Sequence, residues 1–148
     1  MSTSNLTSVI NLIIDDAKTA VLATVDTHGN PQMRWITPGT IPDFPTSIFI
    51  ITADNFAKVA QAKKNPCASI LLQTRLLDKV VHLEGAISVI ENPSFRSELL
   101  ERVGKRLNAF WKIDVPHREL VALEFSISHA VLYLPQKGSR EVIEIGRR

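Results

Sequence analysis

Apolar residues recur at two different spacings along this chain of 148 residues. The spacing near the start is that of an amphipathic helix, with apolar residues at Val9, Ile10, Ile13, Ile14 and Ala17. Ser4 and Asn5 stand before this run, and both are residue types that cap helices. The pattern therefore predicts a first helix of about twelve residues.

Most of the remaining apolar runs have the length and residue types of β-strands. They occupy residues 20–26, 31–37, 46–53, 67–74, 80–90, 120–126 and 130–134, with a further short strand at residues 142–145. Gly29 lies in a polar turn between the first two runs, which predicts a hairpin. Gly85 interrupts the fifth run and predicts a bulge or a tight bend, whereas residues 126–129 predict a break between two strands.

Two more helices are predicted between strands. Residues 54–64 form the first, which Asp54 can cap and Asn65-Pro66 ends, and residues 95–107 form the second. The helices interrupt the strands at intervals too irregular for βαβ units, and the other connections are short. We therefore expect a single mainly β domain over residues 1–148: a closed or split antiparallel β-barrel of six or seven strands with peripheral helices.

The composition argues against several classes of protein. Seventeen basic and fifteen acidic residues give a net charge of +2, so charge predicts neither a nucleic-acid partner nor a membrane surface. No apolar run has the length of a membrane span and no secretory leader is recognisable, which makes a cytoplasmic protein the expectation. The single cysteine, Cys67, fits a reducing compartment, and its place in a strand-like run predicts a buried, inert thiol.

Common catalytic motifs are missing from the sequence. It contains neither of the two common glycine-rich phosphate-binding loops and no nucleophile elbow. Its four histidines lack the spacing of a zinc site. We therefore assign no metal site and no catalytic side chain. If the protein is an enzyme, an imported cofactor must carry the reactivity.

Two basic residues are candidates for binding an anion. Lys58 lies in the opening turns of the helix predicted at residues 54–64, where a cation opposes the helix dipole unless an anion binds there. Arg34 lies within the second strand and is able to contact phosphate or carboxylate through two hydrogen bonds. From these features alone, Lys58 is explained equally well as a solvated surface lysine, and Arg34 equally well as a member of a surface salt bridge.

The order of several short motifs resembles a known family. The pattern A-T-V-D-x-x-G-x-P-x-x-R ends at Arg34, a strand ends in Thr52 six residues before Lys58, and Asn65-Pro66 and E-G-A at residues 84–86 follow. Together they resemble the pyridoxamine 5′-phosphate oxidase-like FMN-binding split barrels, and most closely the general stress protein branch. The resemblance covers roughly residues 6–135.

The resemblance implies a homodimer that holds FMN in clefts at the subunit interface. The second strand would run beside the flavin ring and ribityl chain, through Arg34, Trp35, Ile36 and Thr37. Ile51, Thr52 and Lys58 would hold the phosphate, and Trp111 is a candidate to cover the partner's flavin, with packing of helix onto barrel as its alternative role. A nicotinamide or another small molecule would be the substrate.

The sequence departs from the family pattern at several positions. Phe56 and Ala57 replace a serine and an arginine that commonly assist the phosphate lysine, and Val80 stands where a polar residue often reaches the ring. The chain ends VIEIGRR, without the tail that completes the substrate site of the true oxidase, which argues against pyridoxal phosphate synthesis. Three functions follow as hypotheses: an FMN-dependent oxidoreductase, a flavin-binding carrier or sensor that acts in stress response without turnover, and a cofactor-free dimeric interaction module. A relative that binds a deazaflavin in place of FMN is a further alternative.

Overall fold

The computed structural model of the protein describes residues 3–53, 57–110 and 120–145. Within these ranges it contains three α-helices and seven β-strands. The helices are α1 (Thr3–Ala17), α2 (Ala57–Lys64) and α3 (Pro93–Phe110), and the strands are β1 (Ala20–Val25), β2 (Pro31–Ile36), β3 (Ser47–Ala53), β4 (Cys67–Gln73), β5 (Val80–Val89), β6 (Leu120–Leu134) and β7 (Ser139–Glu144).

The strands form one antiparallel sheet that curls into a barrel. Its order is β2-β1-β4-β5-β6-β3, and β7 adds to β6. Gly39, just after β2, exchanges two backbone hydrogen bonds of 2.9 and 2.8 Å with Phe49 of β3. This bridge brings the two ends of the sheet together, so the expectation of a mainly β split barrel is confirmed.

β6 is the longest strand and corrects the predicted break at residues 126–129. It is continuous, but it changes partners there: it pairs with β3 up to Ser126 and with β7 from His129 onward. Its register against β5 shifts between Glu84 and Gly85, which leaves Ser128 as the extra residue of a bulge. A Cβ on Gly85 would lie 2.0 Å from the carbonyl oxygen of Ser126, so this close approach requires glycine. The expected bulge is confirmed, and it replaces the break.

Two apolar clusters hold the helices on the barrel. The barrel interior is filled from the inward positions of the strands and from α1, whose Leu6, Ile10 and Ile13 are fully buried. The second cluster lies between β3, the first half of β6 and α3, where Leu99 and Val103 pack beside Phe49. The apolar spacing that predicted the first helix is therefore the spacing of the buried face of α1.

Helix boundaries differ from the predictions by a few residues. α1 already includes Thr3, so Ser4 and Asn5 lie inside the helix instead of capping it. α3 extends the predicted residues 95–107 at both ends, and Asn92 accepts the backbone hydrogen bond of Phe95 through its side chain at 3.1 Å. α2 ends at Lys64, as Asn65-Pro66 predicted. Asp54, the predicted cap of this helix, lies outside the described residues.

Candidate functional site

The candidate site is built around β2, whose alternate side chains point to opposite faces of the sheet. Trp35 and Met33 face outward and are 72% and 75% exposed. Arg34 faces the other way and is half-buried, and Ile36 beyond it is buried. Thr37, directly after the strand, is also buried. The four predicted residues 34–37 therefore differ in exposure: the first is half-buried, the second is exposed and the last two are buried.

Arg34 is held by two neutral side chains. Its Nη1 donates a 2.6 Å hydrogen bond to Oγ1 of Thr24, and its Nη2 donates a 2.8 Å hydrogen bond to Oε1 of Gln61. The Thr24 hydroxyl in turn donates to the same Gln61 oxygen. This arrangement joins β1, β2 and α2 through one guanidinium group.

The charge of Arg34 lacks a carboxylate among the described side chains. Within this part of the chain, no ion pair of 4.0 Å or less involves Arg34. Burial lowers the pKa of the Arg34 guanidinium, yet arginine stays protonated at neutral pH. Hydrogen bonds to described residues use two of its five N–H donors, so Arg34 is a half-buried positive charge whose other donors have no partner among the described residues.

The end of β3 carries a second polar atom without a partner. Thr52 is 3% exposed, and its Oγ1 is buried with no hydrogen-bond partner among the described residues. Ile51 before it is also buried. Leaving a buried hydroxyl unsatisfied costs about 1–3 kcal/mol, so this atom is suited to an incoming acceptor or donor.

Two predicted site residues cannot be positioned in this geometry. The backbone of Lys58 is part of α2, one helical turn before Gln61, but its side chain is not among those that the structure describes. Trp111 lies outside the described residues altogether. Their predicted roles remain predictions.

Thr24 and Gln61 are the site residues that sequence reasoning missed. Thr24 is the single polar residue among the inward positions of β1, which is a signal that the sequence does contain. Gln61 is three residues after Lys58 on the helix predicted at residues 54–64, so its place on the turn next to Lys58 was already contained in that prediction.

Cys67 corrects another expectation, because it is exposed and not buried. The buried positions of β4 are Ala68, Ile70 and Leu72, so alternation turns Cys67 outward. The described residues contain no group of three or more histidine, cysteine, aspartate or glutamate side chains arranged to hold a metal ion. Likewise, no helix among them is long and apolar enough to cross a membrane.

The fold and this site define a class: an antiparallel split β-barrel with an arginine on β2 and an unpartnered threonine at the end of β3. The model of the pyridoxamine 5′-phosphate oxidase family matches residues 6–132, which is well over half of the chain. The protein therefore belongs to the pyridoxamine 5′-phosphate oxidase family. No curated protein matches it.

Solved structures of distant relatives have the same fold. A protein related to general stress protein 26, from Clostridium acetobutylicum, aligns with a TM-score of 0.75 at 14% identity, over 98% of this chain and 97% of its own. A pyridoxamine 5′-phosphate oxidase-related, FMN-binding protein from Nostoc punctiforme aligns with a TM-score of 0.69 at 16% identity, over 99% of this chain and all (100%) of its own. A heme-binding protein from Mycobacterium smegmatis aligns with a TM-score of 0.71 at 16% identity, over 97% of this chain and 58% of its own. At these identities the likeness establishes the fold, and the cofactor must be argued from the residues.

Proposed function

We propose that the protein is an FMN-binding homodimer that acts as a flavin-dependent oxidoreductase on a small substrate. The observation that carries this proposal is the half-buried Arg34 guanidinium, which has neutral acceptors and no described carboxylate partner. Folded proteins seldom leave a partly buried charge without a counter-ion, because desolvation of a charge is costly. A dianionic phosphate ester is a natural counter-ion for it.

Two described groups support the proposed phosphate site. Arg34 has N–H donors that no described residue engages, and Thr52 at the end of β3 has a buried hydroxyl with no described partner. Lys58, one helical turn before Gln61, is the third residue of the proposed phosphate site. Arginine supplies directed hydrogen bonds, and lysine adds a mobile charge.

The remaining predicted residues would surround the rest of the cofactor. Ile36, Thr37 and Ile51 would lie beside the flavin and ribityl chain. All three are buried, Ile36 in the barrel interior and Ile51 in the second apolar cluster. A bound flavin would supply the electron transfer that the side chains of this chain cannot supply. Trp35 would lie along the ring, and Trp111 is the proposed cover contributed by the partner.

Exposed apolar side chains support the proposed homodimer. Trp35 and Leu71 are both aligned with Val21 on one outward row of the sheet. Leu71 is 37% exposed, and Met33 lies in the adjacent row at 75%. Large exposed aromatic and methionine side chains are typical of interface cores. A second copy covering this row would also enclose the outward side of β2.

The visible spectrum of the purified protein tests the cofactor. We expect flavin absorbance, or its appearance with a raised melting temperature when FMN is added, and mass identification of FMN after release. A colourless protein that neither shifts the FMN spectrum nor gains stability would overturn the proposal. Release of a deazaflavin or of heme would overturn the assignment of FMN.

Anaerobic mixing with NADH or NADPH tests turnover. Bleaching of the bound flavin much faster than that of free FMN supports an oxidoreductase. No acceleration with either donor favours a flavin carrier or sensor, a function that also fits a site whose described residues include no acid–base pair.

Lys58→Ala tests the phosphate site from the helix side. We expect FMN to bind about 1–3 kcal/mol more weakly, the scale of a hydrogen bond to a charged group. The matched control is Lys63→Ala, since Lys63 is exposed on the same helix. Equal FMN affinity of the two variants would remove Lys58 from the site.

A further inference from the structure

An open cleft of about 430 Å³ lies on the sheet near the β1–β2 hairpin, and it adjoins the site described above at Thr24, which belongs to both. Its floor is formed by small residues on three neighbouring strands: Ala23 of β1, Ser69 of β4 and Gly85 of β5. Ala23 is directly opposite Ser69, and Ser69 is directly opposite Glu84. Directly opposed residues share a face of the sheet, so these side chains line one surface.

The cleft exists because side chains are short in its middle and longer at its margins. Val25 and Pro31 form the apolar wall on the hairpin side. Glu84 and Ser128 form the opposite wall, beside the bulge of β6. Ser128 Oγ donates a 3.1 Å hydrogen bond to the backbone oxygen of Glu84, which fixes that wall. A flat floor with one apolar wall suits a planar ring.

Charge in the cleft has one sign. Glu84 is exposed, and no lysine or arginine belongs to the described lining. His129, directly opposite Glu84 on β6, is already engaged through its Nδ1 with Glu144 at 2.5 Å. A ligand in this cleft therefore meets a carboxylate that no described lining residue neutralises.

We propose that this cleft binds a small planar organic cation, with its ring on the floor of Ala23 and Ser69 and its cationic group at Glu84. Aromatic amidines and ring-bearing amines belong to this chemical class. The cleft and the proposed phosphate site share Thr24, but they lie on opposite faces of β1, because the Thr24 side chain that bonds to Arg34 alternates with that of Ala23. Binding here does not depend on FMN.

Calorimetric titration of the full chain with benzamidine tests the proposal, with benzamide as a neutral probe of nearly the same shape. Benzamidine should bind, and benzamide should bind at least about tenfold more weakly, since a carboxylate–amidinium pair gains charge-assisted hydrogen bonds. Glu84→Gln should remove most of this preference. Glu91→Gln, which changes an exposed carboxylate just beyond β5, should keep it.

A filling substitution tests the location independently. Ser69→Leu should abolish benzamidine binding, whereas Ser88→Leu, at an exposed position of β5 outside the cleft, should leave it unchanged. The proposal is overturned if benzamidine fails to bind the unmodified protein, or if benzamide binds as well as benzamidine. It is also overturned if Glu84→Gln, with an unchanged melting temperature, binds benzamidine as tightly as the unmodified protein.

Discussion

The two faces of β2 differ in what each leaves incomplete. On the inward face, Arg34 is engaged by Thr24 and Gln61, and the described residues provide hydrogen bonds but no opposite charge. On the outward face, Trp35 and Met33 are large, apolar and mostly exposed. Among the described residues, the inward face has no opposite charge for Arg34, and the outward face has no partner that buries Trp35 and Met33. Both faces belong to the same six-residue strand.

This difference indicates two separate binding events at one strand. An anion would complete the inward face through electrostatics and hydrogen bonds, and a second subunit would complete the outward face through burial of apolar area. If the comparison is correct, substitutions on the inward face should weaken FMN binding without dissociating the dimer. Loss of Trp35 on the outward face should dissociate the dimer, and it should weaken FMN binding as well, because Trp35 and the partner are both proposed to contact the flavin.

The largest effect is expected from Trp35→Ser on the outward face. Loss of a central aromatic at an interface commonly costs about 2 kcal/mol or more, so the dimer should dissociate at least about thirtyfold more readily. Sedimentation velocity over a concentration series measures this shift. Leu76→Ser is the matched control, because Leu76 is 85% exposed in the turn between β4 and β5. Equal dissociation of both variants would separate Trp35 from the interface.

A smaller effect is expected from Gln61→Leu on the inward face. This change removes the acceptor shared by Arg34 and Thr24, and the free energy of unfolding should fall by about 1–2 kcal/mol. Urea denaturation measures it, with Lys63→Leu on the exposed side of α2 as the control. A Gln61 variant as stable as the Lys63 variant would show that the network does not stabilise α2 on the barrel.

Thr24→Val should cost about 1 kcal/mol, because it preserves shape and removes one hydroxyl from the same network. The double variant with Gln61→Leu should cost less than the sum of the two single changes, since both remove parts of one hydrogen-bonded group. Strict additivity in urea denaturation would mean that Thr24 and Gln61 act independently of each other.

The smallest effect on stability is expected in the hairpin that joins β1 to β2. The backbone N–H of Asn30, at 2.8 Å, is the main cause of a lowered pKa for the Asp26 carboxyl, and the N–H of His28 at 2.9 Å adds to it. A lowered folded-state pKa stabilises the protein above the ordinary carboxyl range, and this contribution is lost as the pH falls through the folded value.

Asp26→Asn should therefore lower the melting temperature slightly at pH 7 and make no difference at strongly acidic pH. Thermal scans across this range check the sign, with Asp43→Asn in another turn as the control. A deficit of Asp26→Asn that grows as the pH falls would contradict this account of the hairpin.

Hydrophobic spacing was sufficient to predict most of the fold, because the same alternation that identifies a strand also decides which side chains are buried. The exception was β6, where polar residues 126–129 looked like a break. Their polarity instead marks the position where the strand bulges at Ser128 and exchanges β3 for β7 as its partner. Pairing between distant strands decides between a bulge and a break, and a local pattern does not contain that information.

The candidate site was predictable only where residue type and position both carry a signal. Arg34 and Thr52 were named from the sequence. Among the described residues, Arg34 has hydrogen bonds but no carboxylate partner, and the Thr52 hydroxyl has no hydrogen-bond partner. Gln61 was missed because a glutamine on a short helix is usually solvated, and its role depends on the contact of α2 with β1 and β2. Cys67 was assigned to the wrong face because the phase of β4 was not followed residue by residue.

The central claim is that Arg34 holds the phosphate of FMN, and riboflavin, which lacks that phosphate, provides the most direct test. Fluorescence titration should show that Arg34→Met weakens FMN binding about tenfold to a hundredfold and changes riboflavin binding by less than about threefold. Arg75→Met, which alters an exposed arginine paired with Asp16, should affect neither ligand. If Arg34→Met weakens FMN and riboflavin equally, or weakens neither, Arg34 does not bind the phosphate and the account is wrong.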